Sequence, residues 1–239
     1  MVAVLKKAFA TALGEAQMNI HTEIGPPTDS FPAEEPTHRA ILRDVSWETY
    51  ERLLAGFADS HAVHFTYDRG VLEIMVLSFK HETLNRTLAT LVATLAEELE
   101  IDLVSAGSTT FKREDFARGF EPDSCFYIQH AAHVRGKEKI DLTTDPPPDL
   151  VIEIDLIHPS LNKFPIYTHI GVPEVWRYNG SQVHILHLIN GEYNETEHSL
   201  ALPMLTAEIA TQFVEASIEV PNPTWLRRVR TWVRQQHTA

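Results

Sequence analysis

The clearest pattern along the chain is a series of apolar residues spaced three and four positions apart between His81 and Glu100. Residues at this spacing lie on one side of an α-helix, and such a stripe is normally buried. We therefore predict a helix over 81–100 that packs across a sheet. At 100° per residue, His81 falls on the side of the stripe, so it either faces a site or forms a hydrogen bond beneath the sheet. The stripe consists of Leu84, Leu88, Leu91, Val92, Leu95 and Leu99.

A second pattern follows a run of three prolines. Residues 150–157 read LVIEIDLI, an almost continuous apolar run that is typical of a buried strand and that contains Glu153 and Asp155. Because side chains alternate along a strand, both acids project from one face, about 6.6 Å apart along it. Two carboxylates at this distance repel each other unless a cation lies between them. Lys163 is the candidate for that cation.

Pro165 and Gly171 bracket a short helix after this strand. Proline is accepted in the first turn of a helix but not in its interior, and glycine commonly follows the last turn. We predict a helix that begins near 162–165 and ends at Gly171. Lys163 then lies at the N-terminus of this helix.

Shorter signals predict the remaining elements. Ser46 can cap a helix over 46–57, and residues 68–70 (DRG) separate two apolar runs that form a hairpin. Two Asn-Gly pairs, at 179–180 and 190–191, separate three apolar runs and predict a three-stranded meander. Further strands are predicted at 102–106, 109–112 and 121–128, further helices at 206–216 and near the C-terminus, and a loop at 129–148.

The domain organisation follows from the distribution of prolines and of apolar periodicity. Four prolines between residues 26 and 36 separate a weakly amphipathic stretch within the first 20 residues from the rest of the chain. We predict an N-terminal arm over 1–40, one domain over 41–220, and a C-terminal helix over 221–239 that packs on this domain.

Composition narrows the class of protein. A hydrophobic content of 44% and a charged content of 22% are ordinary for a soluble protein, and no apolar run approaches the roughly 18 residues of a membrane-spanning helix. With no convincing signal peptide and a single cysteine, Cys125, we expect a cytoplasmic protein without a membrane partner. The net charge of −13 disfavours binding of nucleic acid by bulk electrostatics, but it does not exclude an enzyme that acts locally on phosphates. Four arginines near the C-terminus favour a solvated helix face over a DNA-binding patch.

Asp123 adds a third acid to the pair on the buried strand. It follows a proline at the start of the predicted strand 121–128, so a shared sheet would bring it near Glu153 and Asp155. Magnesium binds oxygen ligands and usually takes only one or two carboxylates, with water and phosphate completing its shell. Spacing alone leaves two interpretations open: a metal site, or solvated acids at strand ends.

The ordered set of motifs resembles the Uma-two family of "putative restriction endonucleases", within the PD-(D/E)xK nuclease superfamily. The likeness runs from about Ser46 to Leu205. It implies an α/β fold (α+β, with a mixed sheet) that has a restriction-endonuclease-like core, flanking helices and a C-terminal β-meander. The matching segments are EPD at 121–123, PDLVIEI at 148–154, PS at 159–160 followed by Lys163 and Tyr167, and GVPEVW at 171–176.

The resemblance also implies roles for individual residues. Asp123 and Glu153 match the motif acids, which hold Mg²⁺ (or Mn²⁺) together with the carbonyl of Ile154. The superfamily's usual lysine position, two residues after the acid, holds Asp155 in this chain, and Lys163 occupies the place of a lysine that has moved to the following helix. Asp155 is then an extra ligand or a partner for Lys163. His81 joins this catalytic set from the start of its helix.

The expected activity is that of a metal-dependent endonuclease that hydrolyses the phosphodiester bonds of DNA. Cutting both strands favours a homodimer. The alternative is a catalytically inactive protein that keeps the nuclease fold as a nucleic-acid-binding or protein-interaction module. The acidic balance and Asp155 favour the alternative, whereas the joint presence of Asp123, Glu153 and Lys163 favours the enzyme.

Overall fold

A computed structural model of the chain describes residues 38–58, 63–156 and 161–236. The weakly amphipathic stretch within the first 20 residues lies outside the described residues. So does most of the N-terminal arm predicted over 1–40.

Contacts between residues divide the chain into two compact units. The described part of the first unit extends to Ser78 and also includes 112–120. The second unit comprises 79–111 and the described residues from Glu121 onward. The boundaries expected from the sequence, with one domain over 41–220, stay a prediction.

The described part of the first unit contains a five-stranded sheet and one helix. The helix is α1 (Trp47–Gly56), and the strands are β1 (His38–Leu42), β2 (Val63–Asp68), β3 (Val71–Val76), β5 (Phe111–Arg113) and β6 (Arg118–Phe120). The strand order is β1-β3-β2-β6-β5. A short 3₁₀ helix, Glu114–Phe116, leads into β6.

The predicted capped helix and hairpin of this unit are confirmed. The Ser46 side chain accepts a hydrogen bond from the Thr49 N–H at 3.1 Å, which satisfies one of the open donors at the start of α1. Gly70 has a φ of 92° in the turn between β2 and β3, a conformation in which glycine carries no steric penalty. Tyr50 and Leu53 of α1 are fully buried in a core with the inward-facing residues of the hairpin.

Strands β1 and β6 were not predicted from the sequence. The first lies in the region that we expected to be an arm, and it pairs with β3 in antiparallel register. The second is only three residues long and contains Gly119, which breaks any apolar pattern. A Cβ atom at this glycine would lie 2.3 Å from the Tyr50 hydroxyl, so the packing of α1 requires glycine there.

The second unit contains a six-stranded mixed sheet. Its strands are β4 (Val104–Gly107), β7 (Ser124–Tyr127), β8 (Leu150–Ile154), β9 (Glu174–Tyr178), β10 (Val183–Ile189) and β11 (Glu192–Thr196), in the order β11-β10-β9-β8-β7-β4. The β8–β9 pair is parallel and the other pairs are antiparallel. The predicted meander is confirmed by β9, β10 and β11. The predicted strands 121–128 and 150–157 are shorter in the structure.

Five helices belong to the second unit: α2 (Phe79–Glu98), α3 (Ala131–Val134), α4 (Phe164–Ile170), α5 (Ala207–Glu219) and α6 (Asn222–Gln236). Helix α4 connects the parallel strands β8 and β9. Helix α3 interrupts the region that we predicted as a loop. Among the described residues, no helix combines the length and the apolar character needed to cross a membrane.

The core of the second unit lies between the sheet and helices α2, α5 and α6. The predicted stripe of α2 is confirmed, because Leu88, Leu91 and Leu95 are fully buried against residues of β7 and β8. Strand β8 is buried at all five positions, as a central strand covered on both faces should be. Helix α6 adds Trp225, Val229 and Val233 to the same core.

Two of the C-terminal arginines pair with acids of helix α2. Arg230 lies 3.1 Å from Glu97, and Arg234 lies 2.8 Å from Glu98. Both pairs are at the surface, where such contacts stabilise by about 0–1 kcal/mol. Their placement agrees with the interpretation of this basic segment as a solvated helix face.

The stripe of α2 is expected to be a main determinant of stability. Leu88→Ala and Leu95→Ala should each lower the free energy of unfolding by about 2–5 kcal/mol, because each leaves a cavity in a closely packed core. Urea titration measures the loss. Leu200→Ala is the control, since Leu200 is half-exposed and its truncation should change stability by less than about 0.5 kcal/mol. Near-neutral results for both α2 variants would contradict the packing described here.

Candidate active site

Two buried acids meet where strands β7 and β8 lie side by side. Asp123 immediately precedes β7, and Glu153 is the fourth residue of β8. Because Ser124 pairs with Ile152 in antiparallel register, the position before β7 falls beside Glu153. The Asp123 carboxylate accepts a hydrogen bond from the Ile154 N–H at 2.7 Å. Both acids are more than nine-tenths buried, so their charges must be compensated within the protein.

His81 contacts the Asp123 carboxylate from the first turn of α2. Its Nε2 atom lies 3.1 Å from Oδ2 of Asp123, and its side chain is 2% exposed. Burial lowers the pKa of the imidazole, but the Asp123 carboxylate and the nearby Glu153 carboxylate together outweigh this effect, and the pKa of His81 lies above its ordinary value. This placement beside a buried carboxylate is compatible with both interpretations of His81, a residue that faces a site and a hydrogen-bonded residue beneath the sheet.

Asn85 lies one turn after His81 and was not identified from the sequence. Its amide donates a hydrogen bond to the backbone carbonyl of Asp123 at 2.9 Å, and the hydroxyl of Ser124 donates to the Asn85 side-chain oxygen at 2.7 Å. Asn85 is almost fully buried. The signal in the sequence that could have identified Asn85 was a polar amide on the apolar side of the predicted helix. Helix α2 thus contacts Asp123 through two residues. His81 contacts the carboxylate of Asp123, and Asn85 donates to its backbone carbonyl.

The start of helix α4 brings a lysine and a tyrosine to Glu153. The Lys163 ammonium lies 2.7 Å from Oε2 of Glu153, and the Tyr167 hydroxyl donates a hydrogen bond to Oε1. Lys163 is the N-cap residue of α4, and Gly171 ends this helix in the left-handed region, as the sequence predicted. Both donors are more than nine-tenths buried. The sequence placed Tyr167 in a family motif but assigned it no role.

The electrostatics of Glu153 reflect these neighbours. Burial raises the pKa of its carboxyl, the Lys163 ammonium opposes this, and the nearby Asp123 carboxylate raises the pKa further, to about 7. Burial and the Glu153 carboxylate also raise the pKa of Tyr167 well above its ordinary value. Tyr167 therefore stays protonated at neutral pH and remains a hydrogen-bond donor.

Asp155 lies beyond the end of β8 and pairs with a cation of the neighbouring strand. Its carboxylate is 2.5 Å from Nε of Arg177 in β9, and its N–H donates to the Tyr178 carbonyl at 2.8 Å. Both members of the ion pair are partly exposed, unlike Lys163 and Glu153. From the sequence, Asp155 is expected to be a metal ligand or a partner for Lys163; in the structure its partner is Arg177 instead.

This arrangement predicts a modest role for Asp155. We expect Asp155→Asn to lower the free energy of unfolding by only about 0–1 kcal/mol, because it removes a partly exposed ion pair. Urea titration measures the effect. A loss of several kcal/mol would contradict the peripheral position of this ion pair.

The donor set at the strand ends fits the chemistry of magnesium. Within the described ranges, no group of three His, Cys, Asp or Glu side chains is arranged to hold a metal ion. Magnesium does not require such a group, since one or two carboxylates are its usual protein ligands. Asp123 and Glu153 supply two. The N–H and C=O of one strand residue point to the same side, so the Ile154 carbonyl leaves β8 on the side of Asp123.

The fold and the site together define an α/β protein with a mixed sheet, flanking helices, and buried acids at neighbouring strand ends with a lysine beside them. The model of the Uma2 (Uma-two) family, described as "Putative restriction endonuclease", matches residues 47–219. This is more than half of the chain, and the chain belongs to that family.

Two further comparisons concern a solved structure and the curated proteins. The chain is similar to a solved structure from Anabaena variabilis ATCC 29413 that is described as "a putative nuclease belonging to DUF820". The sequence identity is 14%, the match covers 63% of this chain and 90% of that chain, and the TM-score is 0.45. A search of curated proteins found no match.

Proposed function

We propose that this protein is a divalent-metal-dependent endonuclease that hydrolyses phosphodiester bonds of DNA. The observation that carries the proposal is the approach of Lys163 to Glu153 at 2.7 Å, in a buried cluster that also contains Asp123. An acid occupies the usual lysine position on the strand, yet helix α4 delivers an ammonium group to the same carboxylate. Membership in the family described as "Putative restriction endonuclease" supports this assignment.

Asp123, Glu153 and the Ile154 carbonyl are the groups that would hold Mg²⁺ or Mn²⁺. When bound there, the ion would supply Lewis-acid stabilisation of negative charge on the scissile phosphate and would favour ionisation of a nearby water. Both carboxylates come from neighbouring strands of one sheet, so the spacing between them is set by strand pairing rather than by a loop.

Lys163 is the proposed cation that acts on the scissile phosphate. Its ammonium orients the attacking water or neutralises the negative charge that develops on phosphorus oxygens in the transition state. In this hydrolysis the water oxygen forms a bond to phosphorus, the bond from phosphorus to one sugar oxygen breaks, and that oxygen receives a proton. His81 acts through Asp123, whose carboxylate it contacts at 3.1 Å, and is therefore a positioning residue.

A second candidate function is a nuclease-fold module that binds nucleic acid or protein without cleaving it. Asp155, in place of the usual lysine, is the observation that favours it. The two candidates differ in whether bound DNA is hydrolysed. If the protein is an endonuclease, a homodimer would place one active site on each strand of the DNA. Light scattering of the purified protein tests whether it is a homodimer.

Incubation of the purified protein with supercoiled plasmid DNA tests the proposal. We expect nicked and linear products with Mg²⁺ or Mn²⁺, no products with EDTA, and little cleavage of an RNA of similar length. DNA binding without cleavage under every metal condition would favour the second candidate. Cleavage that persists in EDTA would contradict the metal requirement.

A further inference from the structure

Both oxygens of the Glu153 carboxylate are held by one turn of helix α4. Lys163 contacts Oε2 and the Tyr167 hydroxyl donates to Oε1, and these two residues are four positions apart. Residues at this spacing lie above one another on the same side of a helix. The carboxylate is therefore oriented by two donors of different kinds, a flexible ammonium and a rigid hydroxyl.

The two donors differ in how firmly they are fixed. The lysine ammonium lies at the end of a flexible four-carbon chain, whereas the side chain of Tyr167 has only two torsion angles. The Tyr167 ring is 1% exposed and packs edge-on against Phe164. Its backbone carbonyl accepts hydrogen bonds from the N–H groups of Gly171 at 2.8 Å and Val172 at 3.0 Å. Tyr167 is thus the fixed donor of the pair.

If Lys163 contacts the substrate, at least one of its hydrogen bonds must move from Glu153 to a phosphate oxygen. A buried carboxylate that loses a partner would relax or take up a proton unless another donor retains it. In the described part of α4, the Tyr167 hydroxyl is placed to do so, because it donates to Oε1, the oxygen that the Lys163 contact leaves open.

We propose that Tyr167 is a positioning residue that keeps the Glu153 carboxylate in its metal-binding orientation while Lys163 exchanges Glu153 for the substrate phosphate. This inference rests on the proposed nuclease function. It assigns different roles to two residues of one helical turn: Tyr167 orients Glu153, and Lys163 acts on the substrate phosphate.

Tyr167→Phe tests this role because it removes the hydroxyl and keeps the ring. Tyr193→Phe is the matched control: Tyr193 packs against Phe164 in the same aromatic group, but its hydroxyl donates to the Val172 carbonyl at 2.6 Å. Isothermal titration of each protein with Mg²⁺, without DNA, gives the affinity. We expect Tyr167→Phe to weaken Mg²⁺ binding by about 10–100-fold, the usual effect of removing a partner of a metal ligand. Tyr193→Phe should bind Mg²⁺ as the wild type does.

Cleavage kinetics provide a second readout. Tyr167→Phe should lower kcat at saturating DNA and leave the KM for DNA within about twofold, since the hydroxyl touches Glu153 and not the substrate. Equal Mg²⁺ affinity in Tyr167→Phe and wild type would overturn the inference. So would a parallel loss in Tyr193→Phe, because it would show a general packing effect.

A fluorine probe keeps the inference testable if Tyr167→Phe does not fold. With 3-fluorotyrosine at position 167 alone, the ring and its hydroxyl remain, and the fluorine resonance reports the environment of the hydroxyl. We expect the resonance to shift on Glu153→Gln and to change little when Lys163→Met is introduced. Insensitivity to Glu153→Gln would overturn the contact.

Failure of this inference and failure of the proposed function have different signatures. A wild-type protein that binds Mg²⁺ and cleaves DNA, with a Tyr167→Phe variant that does both equally well, contradicts only the role of Tyr167. A wild-type protein that neither binds Mg²⁺ nor cleaves DNA contradicts the proposed function, and the positioning role falls with it.

Discussion

Asp123→Asn and Glu153→Gln are each expected to reduce metal-dependent DNA cleavage by at least about a thousandfold. Each variant removes one of the two carboxylates that would hold the metal ion, and the stabilisation of transition-state charge by such an ion amounts to several kcal/mol, with each 1.36 kcal/mol equal to a factor of ten in rate. Both changes keep the volume of the side chain. Initial rates of plasmid nicking measure the loss.

The two variants differ in their expected stability. Glu153→Gln leaves the buried ammonium of Lys163 without its carboxylate, which costs about 3–5 kcal/mol in other proteins. Asp123→Asn keeps an oxygen that can accept from the Ile154 N–H, and the buried His81 that it leaves without a carboxylate can become neutral by losing a proton, so this variant should lose less stability than Glu153→Gln. Asp123→Asn is therefore the cleaner test of the site.

Asp102→Asn serves as the control for both variants, because Asp102 is an exposed acid that pairs with Arg135 at the surface. It should cleave DNA at the wild-type rate. Unchanged cleavage by folded Asp123→Asn would remove this site from the mechanism, whatever the result for Glu153→Gln.

Lys163→Met is expected to lower the turnover of DNA cleavage by about 10²–10³-fold, the effect of losing one preorganised group that stabilises developing charge. It removes no metal ligand and it removes a cation that competes for Glu153. Mg²⁺ affinity should therefore be retained or slightly raised, provided that Glu153 is ionised. Single-turnover cleavage and calorimetric Mg²⁺ titration measure the two effects separately.

The pH of the titration sets the sign of the affinity change. Lys163 is the main group that lowers the pKa of Glu153, so its loss moves this pKa above its present value of about 7. Below that pKa, protons compete with the metal ion for Glu153. Lys163→Met should then bind Mg²⁺ more weakly than the wild type at about pH 6, and this deficit should disappear once the pH exceeds the raised pKa of Glu153.

Lys137→Met is the matched control, since Lys137 is a surface lysine that pairs with Asp145. It removes the same charge from the protein without touching the acids of the site. Full turnover by Lys163→Met, or an equal loss in Lys137→Met, would contradict the assignment of Lys163 and would favour the module that binds without cleaving.

Much of the second unit could be predicted because its signals are local. The leucine stripe of α2 identified both the helix and the face that it buries, since a period of 3.6 residues has few alternative explanations. Pro165 and Gly171 identified the start and end of α4, and hence the position of Lys163, because both residues restrict the backbone themselves. The family resemblance, confirmed by the match over 47–219, placed Asp123 and Glu153 in one site.

The features that sequence analysis missed depend on residues that are distant in the chain. Asn85 acquires its role only where α2 crosses the strand that follows Asp123, 38 positions later. Arg177 meets Asp155 because β8 and β9 pair in parallel through a crossover, a register that no local pattern encodes.

The sequence by itself determined which residues are the candidates for the chemistry: two acids beside or within strands that share a sheet, and a lysine at the start of the next helix. Only the tertiary structure decided how their charges are distributed. It pairs Lys163 with Glu153 in the interior and Asp155 with Arg177 nearer to solvent, and it adds Tyr167 as a second donor to Glu153. The physical reason is that a carboxylate takes its partner from the side chains that packing brings within reach, and the burial that makes the partner necessary exists only in the folded protein.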